Sequence, residues 1–227
     1  MVCLFERALG DDWLALNPRL RERYGVVTDH GRQAVGRGTM SRVDRPIHAA
    51  PLLRLFARDD LLVPDCGVDV PFTITTTPLI DANGYEALFL HRSFEFDQPR
   101  RFVDTVRWNP DRGCLTDLLG RHGQIATDIF LSESDGALEL TLGTQWIRVG
   151  DRYYPLPEQL AAAGTLTDWY DDDRGRFEVE AAVKNPIAGD VFGYRGQFEN
   201  SFRRLDDATD GTIDRSHADT AIPGGGS

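Results

Sequence analysis

Phe177-Glu178-Val179-Glu180-Ala181-Ala182-Val183-Lys184 alternates its side chains with a period of two. Residues two apart on an extended strand point the same way. Phe177, Val179, Ala181 and Val183 therefore share one face, and Glu178, Glu180 and Lys184 the other. Such a run is a half-buried strand that covers an interior on one side only. Leu138, Leu140 and Leu142 read the same way, as do Ile125, Ile129 and Leu131 with Thr127 among them. Working outward, short alternating runs cover 32–43, 67–77, 85–96, 101–108, 124–132, 136–149, 164–170, 175–184 and 189–199. Turn signals such as Asn83-Gly84, Asn109-Pro110-Asp111, Ser134-Asp135-Gly136 and Asn185-Pro186 separate them. Connections this short favour antiparallel neighbours over crossovers. The expected fold is mainly β: a curved antiparallel sheet or partly closed β-barrel of about nine or ten strands.

The first 24 residues read as helix, with Leu4, Phe5, Ala8 and Leu9 at helical spacing. Asn17-Pro18 is a cap followed by a first-turn proline, leading into Leu20 and Tyr24, and Gly25 ends the helix. The chain thus divides into a helical cap over 1–25, a β domain over 26–205, and an acidic tail over 206–227. That tail has almost no bulky apolar side chain and is expected to be disordered. Two short helical patches are expected near 50–58, with Leu52, Leu53, Leu55 and Phe56, and over 157–163.

The chain has 227 residues, 25 Lys+Arg against 36 Asp+Glu, and a net charge of −11. An acidic chain carries no electrostatic footprint for nucleic acid or an anionic membrane surface. Lys184 is the only lysine and aspartate far outnumbers glutamate, which points to a protein of high-salt habitat encoded by a GC-rich genome, as in halophilic archaea. Cys3, Cys66 and Cys114 are odd in number and lack CxxC spacing, so neither a disulfide framework nor a zinc site is indicated. The N-terminus lacks the pattern of a signal peptide, and no run approaches the ~18 apolar residues of a membrane helix. The expected location is the cytoplasm. No hydrolase, nucleotide-binding or metal motif is present, and no cofactor is expected. Asp168, Asp171, Asp172 and Asp173 lack the pattern of a calcium loop and read as a solvated acidic turn. Gly193 and Gly196 read as corners of a curved sheet.

Two strands interrupt their apolar faces with a charge. Arg92 sits among Leu88, Leu90, Phe94 and Phe96, and Asp104 among Phe102, Val106 and Trp108. A hairpin through Asp97-Gln98-Pro99-Arg100, with Phe94 opposite Asp104, makes Arg92 and Asp104 diagonal neighbours on the inner face. A charge on an apolar face must be paired or must meet water or a ligand. Two readings follow: a structural ion pair in a packed barrel, or a cavity lining in which the guanidinium takes a ligand carboxylate or phosphate.

The order of motifs is also familiar. His91-Arg92-Ser93-Phe94-Glu95-Phe96, the stretch from Gly113 to Gly120, Leu156-Pro157, Arg176-Phe177-Glu178-Val179, Pro186-Ile187-Ala188-Gly189 and Tyr194-Arg195-Gly196 together resemble the DUF4166 family over roughly residues 10–200. Where that family often has a tryptophan two residues before the strand arginine, this chain has Leu90. The resemblance assigns no catalytic residue. It implies an accessory or substrate-handling role, since similar domains occur alone or behind NAD(P)-binding oxidoreductase-like domains.

The functional expectation is an apolar or amphipathic small molecule bound in the barrel interior. Arg92 and Asp104 would meet its polar end, and Phe94, Phe96, Trp108, Phe177 and Tyr194 would contribute to the wall. Two alternatives stand beside it. One is an enzyme using Asp104 as general base and Arg92 as electrostatic stabiliser. The other is a structural domain docking onto a separate NAD(P)-dependent oxidoreductase, with Trp13, Trp146 and Trp169 as candidate surface aromatics.

Overall fold

The structure, a computed structural model, describes residues 2–46, 60–61, 63–81, 84–205 and 223. Among the described residues eleven strands run β1 (Arg32–Asp44), β2 (Gly67–Ile80), β3 (Glu86–Phe94), β4 (Arg100–Asn109), β5 (Cys114–Leu119), β6 (Ile125–Ser134), β7 (Ala137–Val149), β8 (Arg152–Pro155), β9 (Ala163–Asp171), β10 (Arg176–Asn185) and β11 (Gly189–Arg204). Each pairs antiparallel with its chain neighbour from β1 to β8, and β9, β10 and β11 continue in the same manner. The first half of β7 pairs with both β6 and β9, while its second half carries β8 as a short outer arm. Pairing of β1 with β11 closes the circuit. The result is a closed ten-strand up-and-down barrel, and closure removes the exposed edges an open sheet would leave.

Closure depends on glycines at the β1–β11 seam. A Cβ on Gly38 would lie 1.9 Å from the Gln197 carbonyl oxygen, and one on Gly196 would lie 2.5 Å from that of Thr39. The two backbones approach so closely here that only glycine fits on either side. Gly196, expected as a corner, is a point of close backbone approach, opposite a bulge in β1 between Met40 and Arg42.

The N-terminal segment forms α1 (Leu4–Leu9), a 3-10 turn and α2 (Pro18–Tyr24). Asn17 caps α2 by accepting from the Arg19 N–H at 2.9 Å, with Pro18 in the first turn. The Asn17 N–H also donates to the Gly136 carbonyl at 2.9 Å, which ties the start of α2 to the β6–β7 turn. α1 packs on β3, β4, β5 and β6, and α2 on β9. Phe5, Leu9, Leu20 and Tyr24 thereby join the inward-facing Phe94, Phe177 and Phe198 in one core. No described helix is long and apolar enough to cross a membrane.

Several expectations are corrected. Phe94 lies opposite Arg100, not Asp104. The 157–163 patch is a turn closed by bonds to the Pro157 carbonyl, not a helix, and Ala163 already opens β9. β5 and β8 are additional strands. The patch near 50–58 lies outside the described residues, and so does the tail except for Pro223. That residue is buried, and its carbonyl accepts from Asn109 Nδ2 at 3.1 Å.

Candidate functional site

Two of the buried polar clusters among the described residues meet in the barrel interior. In the first, Leu90 opposes Asp104 and Phe102 opposes Arg92, so the arginine and the aspartate are diagonal neighbours on β3 and β4. Arg92 Nη1 donates to Asp104 Oδ1 at 2.5 Å, and the guanidinium lies 4.6 Å above the Phe102 ring. Burial works against the Arg92 charge, but Asp104 outweighs it and keeps the guanidinium protonated. Asp117 on β5 completes the cluster. Burial, then the negative charge of Asp104, hold its carboxyl well above the usual carboxylate range, and its side chain is hydrogen-bonded to Asp104. The sequence reading missed Asp117.

The second cluster joins α2 to β9. Tyr24 Oη donates to Asp168 Oδ2 at 2.5 Å, and Arg23 Nε lies 3.6 Å from the same oxygen. The Arg23 guanidinium rests 4.6 Å above the Phe198 ring, and Tyr24 stacks on Phe5 at 4.4 Å. Burial raises the pKa of Asp168, against the pull of Arg23 and Tyr24. Asp168 was expected in a solvated turn, yet it is 1% exposed in mid-strand. Only Asp171, Asp172 and Asp173 belong to the turn region, because β9 extends to Asp171. A period-two reading from Leu166 through Tyr170 would have placed Asp168 on the inner face.

Between the clusters lies a cavity of about 30 Å³. Its polar wall is Arg92 from β3, Asp168 from β9, Tyr194 from β11, and Arg23 and Tyr24 from α2. The apolar wall includes Phe72, Ile74, Leu90, Leu166, Val179 and Phe198. This is room for one or two waters, far short of the several hundred Å³ that drug-sized ligands fill. Asp168 Oδ1 is buried and has no hydrogen-bond partner among the described residues. Among the described residues Arg92 spends Nη1 alone, on Asp104, and the Tyr194 hydroxyl makes no hydrogen bond.

Of the residues expected to line a site, Arg92 and Tyr194 reach this cavity. Asp104 stands behind Arg92, tightly paired and 3% exposed, which is no position for a general base. Phe94 and Phe177 are core, the latter stacked on Phe198 at 5.3 Å. Phe96 and Trp108 are half-buried, packed against that core. Trp13 and Trp146 are buried, not surface aromatics, and Trp169 is half-buried. Among the described residues, no group of three or more His, Cys, Asp or Glu is placed to hold a metal.

Fold and site together define a closed antiparallel β-barrel with charged side chains turned into an apolar interior. The chain belongs to the DUF4166 family: the pattern described as "Domain of unknown function (DUF4166)" matches residues 16–198. It is also similar to the uncharacterized protein YndH of Bacillus subtilis (strain 168), 27% identical over 206 residues, spanning 89% of this chain and 99% of that protein. No solved structure matches it.

Proposed function

We propose that this protein binds an apolar or amphipathic small molecule in its barrel interior, with the molecule's polar end between Arg92 and Asp168. One observation carries the reading: hydrogen-bonding capacity on two facing walls is left unspent inside an otherwise apolar core. Asp168 Oδ1 has no partner, and Arg92 keeps donors of its guanidinium fork beyond Nη1. Buried ion pairs are poor stability devices, often matched or bettered by apolar side chains of similar volume. Charges retained there are better accounted for by something they bind.

The resting cavity of about 30 Å³ has room for only one or two waters, so a ligand enters by pushing back Ile74, Leu90, Leu166 and Val179. Binding then selects an opened form of the interior. The small volume also favours a second reading, in which the clusters only pin α2 and the strands together. Native mass spectrometry of the protein purified without detergent, with titration of N-phenyl-1-naphthylamine, separates the two. The binding reading expects a co-purified small molecule or saturable probe binding. A bare mass and no saturable binding would leave only the structural pins.

A further inference from the structure

We infer that the polar end accepted by this cavity is an uncharged group that both donates and accepts hydrogen bonds, an alcohol or a primary amide, and not a carboxylate. The inference rests on the binding reading above. The cavity is lined by Asp168, whose buried Oδ1 lacks a partner, by Arg92, which has donors beyond Nη1, and by Tyr194, whose hydroxyl can serve either way. Each charge is already balanced within the protein: Arg92 by Asp104 at 2.5 Å, and Asp168 by Arg23 at 3.6 Å.

An incoming carboxylate would therefore find no net positive charge to offset its desolvation. It would also set a second anion against Asp168, whose Oδ1 needs a donor. A hydroxyl or an amide satisfies both walls at once: its O–H or N–H goes to Asp168 and its oxygen accepts from Arg92. Leu90, two residues before Arg92 on β3 and part of the apolar wall, offers the attached carbon chain an apolar surface.

The test compares 1-octanol, octanamide and octanoate at pH 7 by isothermal titration calorimetry on the full chain. The alcohol and the amide are expected to bind at least about tenfold more tightly than octanoate, the factor that one charge-assisted hydrogen bond supplies. Tyr194→Phe removes a hydroxyl with no hydrogen-bond partner among the described residues, so the fold survives. It should weaken the alcohol and the amide about three- to tenfold. Asp168→Asn should reduce the preference for alcohol over octanoate, with folding checked by circular dichroism. Octanoate binding as tightly as the alcohol would overturn the inference and leave the binding reading standing. Failure of all three ligands, together with a bare native mass, would remove the binding reading itself.

Discussion

Asp104 lies diagonally across the β3–β4 ladder from Arg92, and the two side chains meet at 2.5 Å inside the barrel, 3% and 8% exposed. Removing either member breaks a buried pair, which costs about 3–5 kcal/mol. Arg92→Met and Asp104→Leu should each be destabilising on that scale in urea unfolding. The double variant should recover most of the loss, because neither charge is then stranded. A double variant as unstable as the sum of the singles would show that the pair is not an energetic unit.

Asp117 gives the barrel a pH dependence. Burial and the charge of Asp104 raise its folded-state pKa well above the value near 3.9 that it has when unfolded. Between those two values the folded protein binds the extra proton, so stability falls as pH rises through that window. Asp117→Asn keeps a donor toward Asp104 without a titrating proton. It should reduce the decline by up to about 1.4 kcal/mol per pH unit inside the window. Urea midpoints at pH 5 and pH 8 would show the variant gaining on the parent at the higher pH. An unchanged difference would mean that Asp117 titrates alike in both states.

How far the sequence was legible follows from face patterning. Alternation identifies strands that are apolar on one side, and it found β10, β7 and the Arg92 strand for that reason. β5 escaped because Cys114, Leu115, Thr116, Asp117 and Leu118 are all buried, so both faces are covered and no alternation survives. β8 escaped because it has four residues and ends in Pro155. The β3–β4 register was misplaced, yet Arg92 still met Asp104, because the displacement was even and an even slip keeps every side chain on its face. Tyr24 and Arg23 were beyond reach for another reason. Helical spacing says which side of α2 is apolar, but not that the helix end reaches Asp168 across 144 residues of chain.

The β1–β11 seam predicts a graded response to small substitutions. In Gly38→Ala the added methyl meets backbone, 1.9 Å from the Gln197 carbonyl oxygen and 2.5 Å from Phe198 Cα. In Gly36→Ala it meets the side chains of Ile74 and Phe198, both at 2.8 Å, which can turn aside. Overpacking costs about 1–3 kcal/mol when side chains can adjust, and more when they cannot. Gly36→Ala should fall in that range and Gly38→Ala beyond it, as read by thermal melting. Equal melting points would mean that the strands separate at little cost.

The last prediction concerns the joint between helix and barrel. Tyr24 Oη donates to Asp168 at 2.5 Å, while Asp168 Oδ1 has no partner. Tyr24→Phe keeps the ring stacked on Phe5 and removes that one donor, leaving the carboxylate with Arg23 at 3.6 Å as its support. A buried carboxylate losing a hydrogen bond costs about 1–3 kcal/mol. Burial already raises the pKa of Asp168, and the loss of the Tyr24 donor raises it further. At low pH the variant can protonate the carboxyl and escape part of the cost; at high pH it cannot. The loss in unfolding free energy should therefore be larger at pH 8 than at pH 5. Hydrogen exchange over residues 18–27 should quicken in step, because α2 is held to β9 through this bond. An equal loss at both pH values would mean that the Tyr24 hydroxyl does not serve the ionised form of Asp168.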